Sequence, residues 1–160
     1  MLGHSPALYD DLTAAENLRF ACRMRGLEVT RETLDGVLEE VGLSRHAGTR
    51  VRGFSSGMRR RVALGRILLH PPRLLLMDEP YASFDEDGIR LTHDLVRRVT
   101  AGGGTVIAAT HDLPRSLEVT TAAIRIVEGQ LLPVPDWGGP DDLGVTRGAE
   151  RFRDPVRAYS

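Results

Sequence analysis

Lysine is absent from this 160-residue chain, and all 21 basic residues are arginine. A phosphate-cradling loop of the G-x-x-x-x-G-K-[ST] type is therefore excluded, because its lysine is the group that reaches the phosphates. Cysteine is nearly absent too. Cys22 alone excludes an internal disulfide framework and agrees with a reducing compartment. Aromatic residues make up 5% against 41% apolar residues overall, so a core is affordable but must be mostly aliphatic. Long hydrophobic runs are missing: a stretch such as Leu74 to Met77 falls far short of the roughly eighteen residues of a spanning helix. The opening Met1-Leu2-Gly3-His4-Ser5-Pro6 has no basic stretch followed by an apolar one and does not read as a signal peptide. Charge of one sign is lacking as well. With 21 basic and 22 acidic side chains the net charge is −1, which gives no support to a nucleic-acid or anionic-membrane binder working by bulk charge.

Periodicity organises what is present. Thr13 and Glu16 stand at the capping-box spacing and predict a helix to about Arg25, stopped by Gly26, with Ala14, Ala15, Leu18, Cys22 and Leu27 on one face. Leu34, Val37, Leu38 and Val41 repeat at i, i+3, i+4 and i+7 and predict a second helix over 31–41, ended by Gly42. After a connector over 45–53, a third helix is expected over 56–69, stopped by Pro71-Pro72. A fourth fits 86–100, before Gly102-Gly103-Gly104. Its predecessor carries Gly65 in the interior, where alanine would ordinarily be about 1 kcal/mol better. The apolar runs 73–77 and 105–109 read as strands buried on both faces, as in a parallel sheet. A short helix over 114–118 and strands over 122–127 and 130–134 follow, and 135–160 reads as a disordered tail. The alternation from 73 to 127 argues for an α/β fold. The expected domains are 1–53, 54–134 and 135–160.

Three runs can carry chemistry. The strand Leu74-Leu75-Leu76-Met77 delivers Asp78 and Glu79 to the carboxyl edge of a sheet, where ligands of open α/β folds sit. Asp78 is placed to hold Mg²⁺ through water, and Glu79 to polarise an attacking water. Ser55-Ser56-Gly57 opens a helix, where unpaired N–H groups and the dipole favour an anion. His111 follows the 105–109 strand at the same edge, where a histidine can contact phosphate or orient water. Each run also has a plain reading: an acidic turn, a capped helix, a surface histidine. Arg59-Arg60-Arg61 reads as a solvated helix face with one or two structural pairs, and Cys22 as a core residue.

Order and spacing separate these readings. Taken together, the runs resemble the ATP-binding-cassette (ABC) family of nucleotide-binding domains over residues 1 to about 131. Ser55-Ser56-Gly57 resembles the signature motif, Leu74 to Glu79 the Walker B strand, Ala82-Ser83-Phe84-Asp85 the D-loop, and His111 the switch histidine. Gly3-His4-Ser5-Pro6 and Leu12 to Leu18 resemble the Q-loop region and the start of the inserted helical subdomain. The resemblance implies a P-loop NTPase core with a mostly parallel sheet, with ATP and Mg²⁺ as cofactors. It implies a second ATP-binding subunit and transmembrane permease subunits as partners, and a cytoplasmic place on the inner face of the membrane. It implies no nucleic acid. Ser55, Ser56 and Gly57 would grip the γ-phosphate bound by the opposite copy, and Asp85 would communicate across the dimer. Asp78 would anchor Mg²⁺, Glu79 would activate water, and His111 would bridge water and γ-phosphate.

The departures from the family shape the expectation. Walker A, which lies before the Q-loop in the family, is missing with its strand and helix. The implied sheet therefore has a gap between 105–109 and 122–127. His4 stands where glutamine is usual, leaving its contact to Mg²⁺ or water open; Ser56 replaces a signature glycine and Met58 a glutamine. His4 together with Gly57-Met58-Arg59-Arg60-Arg61 resembles haem-exporter ATP-binding subunits of cytochrome c biogenesis, features that drug and antibiotic exporters can share. The expectation is an ATP-hydrolysing export subunit, truncated before the Q-loop and inactive alone. The alternative is a non-catalytic module that pairs its signature face with a complete subunit.

Overall fold

Thr13 and Glu16 form the reciprocal bonds that their spacing predicts. The Glu16 N–H donates to Thr13 Oγ1 at 3.2 Å, and the Thr13 N–H donates to Glu16 Oε2 at 2.8 Å. These bonds open α1 (Ala14–Arg23) in a computed structural model that describes residues 7–134. His4 and the segment 135–160 lie outside the described residues. The chain divides into two units, Met1–Ala109 and Thr110–Ser160.

Among its described residues the first unit carries four α-helices and a parallel ladder. After α1 come α2 (Arg31–Glu40), α3 (Ser56–Leu69), β1 (Leu74–Asp78), α4 (Glu86–Ala101) and β2 (Thr105–Ala109). Thr30, Ser55 and Asp85 cap α2, α3 and α4, each accepting a backbone N–H from three residues on. Ala14, Leu18 and Cys22 of α1 are buried as the periodicity predicts. Leu27 is not: it is 36% exposed, because α1 ends at Arg23 and Leu27 falls in the loop beyond the helix face. Leu34, Leu38 and Val41 of the second periodic segment are fully buried, as are Leu18 of α1 and Leu64 of α3, and the three helices pack on one another.

Gly65 explains why α3 tolerates a glycine in its middle. A Cβ built there would stand 3.2 Å from Leu18 Cδ2 and 3.2 Å from Val37 Cγ1. Three helices meet on that position, so the generic advantage of alanine is opposed by a local shortage of space.

β1 and β2 pair in parallel, from Leu74 opposite Thr105 to Asp78 opposite Ala109. Burial on both faces, expected from their apolar runs, is not found. Leu75 and Met77 are buried, whereas Leu74 is 53% and Ile107 57% exposed, with Leu76 beside them at 40%. α4 packs on the ladder, and among the described residues of this unit nothing covers the opposite side. A strand run of leucines therefore alternates in and out.

The second unit opens with α5 (Leu113–Leu117), capped by Asp112, and continues into β3 (Ile124–Val127) and β4 (Gln130–Pro133), an antiparallel hairpin. The turn at Glu128-Gly129 is the one that the sequence predicts. Among the described residues no helix is long and apolar enough to cross a membrane.

A larger side chain at position 65 is expected to overpack the three-helix junction. Gly65→Leu should lower unfolding stability by about 1–3 kcal/mol, read as a lower urea midpoint with an unchanged slope. An unchanged midpoint would show that the junction has room to spare.

Candidate functional site

The start of α3 lies against the turn that follows β1. Ser55 caps the helix through its side-chain oxygen, which accepts the Met58 N–H at 3.2 Å, and Ser56 is the first helical residue; both are exposed. Gly57 is half-buried, and a Cβ on it would stand 3.0 Å from the Ser83 carbonyl oxygen. The glycine thus lets the signature-like turn and the D-loop-like turn touch backbone to backbone. Ser83 has φ +63 and Glu79 φ +46, both in the left-handed region that non-glycine residues rarely enter. Two such residues within one short turn cost about 1–3 kcal/mol each, a strain that surrounding contacts must hold.

Those contacts come largely from arginines. Arg60 is 3% exposed, and its Nη1 donates to the Glu79 carbonyl at 2.6 Å. Arg61 Nη2 pairs with Asp85 at 2.8 Å, while its Nη1 donates to the Val41 carbonyl at the end of α2. Arg59 pairs with Asp10 at 2.6 Å. The sequence reading of this run expected one or two structural pairs, and Arg59–Asp10 and Arg61–Asp85 are those pairs; the solvated face is corrected, because Arg60 between them is buried against a backbone carbonyl. Buried Tyr81 adds an edge-to-face contact with His93 of α4, ring centroids 5.5 Å apart.

Asp78 closes β1 with an exposed carboxylate, and Glu79 follows half-buried, its N–H donating to the Ala109 carbonyl at 2.8 Å. The edge of the ladder therefore carries the acidic pair. Asp85 is exposed, and its carboxylate accepts the Gly88 N–H at 2.9 Å. That bond first, and the Arg61 guanidinium after it, hold its pKa below the ordinary value of 3.8. His111 belongs to the second unit, exposed beside the α5 cap Asp112. Asp78, Glu79, Asp85, Ser55, Ser56 and Gly57 thus share the first unit, where the α3 arginines and the Gly57–Ser83 contact link their turns.

Arg60 is the residue that sequence reasoning missed. A signal existed: position 60 stands three and four residues before Ala63 and Leu64 on the buried stripe of α3. Asn17 was missed as well. Its side chain is buried, accepts the Tyr9 N–H and donates to the carbonyls of Tyr9, Leu12 and Thr13, fixing the loop before α1. A cavity of about 170 Å³ lies elsewhere, lined by Cys22, Ala63, Arg66 and His70 among others, and none of the candidate residues lines it. Burial pushes the Cys22 thiol up.

A cap of α3 set against an acidic turn on a parallel ladder agrees with the resemblance to ABC-type nucleotide-binding domains. The family model described as ABC transporter matches residues 1–82, and the chain belongs to that family. It is similar to the cytochrome c biogenesis ATP-binding export protein CcmA of Xanthomonas oryzae pv. oryzae, 41% identical over 125 residues, covering 78% of this chain and 58% of that protein. The protein of the same name from Cupriavidus pinatubonensis is 40% identical over 112 residues, covering 70% of this chain and 50% of its own length. A solved structure of the ATP-binding subunit of an ABC transporter superposes with a TM-score of 0.71 at 26% identity, covering 79% of this chain and 54% of that one. The chain spans about half the length of the curated relatives that it matches.

Asp85 yields a pH-dependent expectation. Its folded-state pKa is lowered, so the stability it contributes is complete above 3.8 and is lost as pH falls through the lower folded-state value. Asp85→Ala should cost about 0.5–2 kcal/mol at neutral pH through the lost cap of α4. Urea unfolding at stepped pH should show that difference shrinking in the acid range; a constant difference would contradict the assignment.

Proposed function

We propose that this chain is part of an ATP-hydrolysing subunit of an ABC exporter and supplies the signature turn and the water-activating acid of a composite ATP site. The observation that carries this reading is the contact of Gly57 with the Ser83 carbonyl, joined by the bond from Arg60 to the Glu79 carbonyl. Together they lock the anion-ready start of α3 to the turn that bears the acidic pair. Ser55, Ser56 and Gly57 present a capped helix N-terminus to the γ-phosphate bound by a second ATP-binding subunit. Asp78 contributes a hard oxygen donor to Mg²⁺ through water. One exposed carboxylate fits that ion, which takes one or two carboxylates and completes its shell with water and phosphate. When bound, Mg²⁺ polarises the phosphoryl oxygens and offsets their charge. Glu79 would accept the proton of the attacking water, His111 would bridge water and γ-phosphate, and His4 would contact the metal or its water. Asp85, tied to α3 by Arg61, carries the state of one site across the dimer.

The similarity to CcmA proteins supports haem export for cytochrome c biogenesis as the process served. Permease subunits would then be the membrane partners, and the inner face of the cell membrane the location. Because the chain holds no lysine, it is inactive by itself and needs a phosphate-cradling loop. That same absence favours a second reading, a non-catalytic module that pairs its signature face with a complete ABC subunit. The intact mass of the native protein separates the two: a polypeptide heavier than this chain supports the first, and a native 160-residue protein supports the second.

Glu79→Gln in the native full-length subunit should lower ATP turnover by about 10²–10⁴-fold while leaving ATP affinity unchanged, measured by phosphate release and nucleotide binding. Normal turnover in that variant would refute the base assignment.

A further inference from the structure

Arg60 stands out among the side chains of this fold. It is an ionised guanidinium, 3% exposed, in a helix that otherwise turns Val62, Ala63, Leu64 and Leu68 to the interior. Removing such a group from water is costly unless its N–H donors are met. Nη1 is met, by the Glu79 carbonyl at 2.6 Å. Nη2 is buried and has no acceptor among the described residues. A buried donor left in that state is uncommon and asks for a reason that core packing does not supply.

The reason lies at the other end of the bond. Glu79 occupies the left-handed region with φ +46, a conformation that its own side chain disfavours. Its peptide groups are held on both sides. The Glu79 N–H donates to the Ala109 carbonyl at 2.8 Å. Its carbonyl accepts both the Ala82 N–H at 3.2 Å and the charged Arg60 Nη1. A charge-assisted bond is about twice as strong as a neutral one, so Arg60 provides the stronger of the two holds on that oxygen. Fixing φ and the carbonyl direction of residue 79 also fixes where its Cα–Cβ bond points. The carboxylate is aimed by the backbone before its own torsions are considered.

We propose that Arg60 is a positioning residue: it stabilises the left-handed backbone of Glu79 and thereby aims that carboxylate at the water it activates. The inference rests on the proposed role of Glu79. Because Arg60 sits one turn into α3 from Ser56, it also transmits any displacement of the signature turn to the acid. Arg60 thereby adds a directed link between the two halves of the site to the close approach of Gly57 and Ser83.

The test has two arms, each using Arg60→Met, which keeps a long buried side chain, and Arg60→Lys, which restores a charged donor. In the present chain, labelled with ¹⁵N, Arg60→Met should speed amide exchange at Glu79 and Ala82 by at least about tenfold, with α4 amides unchanged and Arg60→Lys recovering most of the protection. Equal loosening of α4, or no gain from lysine over methionine, would overturn the hold on the turn. In the native full-length subunit, Arg60→Met should lower kcat by roughly 10- to 100-fold with KM for ATP unmoved, and Arg60→Lys should restore much of it. A rise in KM with kcat intact would overturn the positioning role. Normal turnover in Glu79→Gln together with loosened Glu79 and Ala82 amides would locate the failure in the base assignment and leave Arg60 as a support of the turn alone.

Discussion

Three consecutive guanidinium groups leave α3 at about 100° to one another, the angle that 3.6 residues per turn imposes, and each reaches a different segment. Arg59 takes Asp10 in the loop before α1, Arg60 the carbonyl after β1, and Arg61 both the end of α2 and the cap of α4. The helix is thereby the hub of the first unit. Apolar contact alone, which is non-directional, packs α1, α2 and α4 around it but does not fix the turns. Directed N–H donors do. The left-handed residues at 79 and 83 can persist because bonds to fixed carbonyls, and the contact at Gly57, over-determine the turn between them.

Much of this was legible in the sequence, for identifiable reasons. Local chemistry set the caps at Thr13 and Ser55, the limits of α3, and the strand 105–109, since each depends on residues within one or two turns. The parallel pairing of β1 and β2 followed from alternation of strand and helix. What was illegible depends on which other segments arrive. The apolar run Leu74 to Met77 cannot report whether one face or two is covered, and here it is one. Gly65 looked like a weak point and is a steric requirement, visible only once Leu18 and Val37 converge on it.

The candidate site divides along the same line. The acidic pair and the capped serine could be found because their chemistry is carried by residue type and spacing. Arg60 sits in a row of three look-alike arginines, and its spacing to Ala63 and Leu64 is the one sequence feature that sets it apart. In the structure its burial and its bond to the Glu79 carbonyl single it out. The order of the motifs named the family, and the family match and the relatives then agreed with it.

The open side of the β1–β2 ladder has a colloidal consequence. Leu74, Leu76 and Ile107 face solvent on a chain whose net charge is only −1, so copies meeting in solution experience apolar attraction with little long-range repulsion to oppose it. Sulfate and similar salting-out ions strengthen that attraction and urea at low concentration weakens it. Solubility of the first unit is therefore expected to respond to salting-out ions as well as to pH.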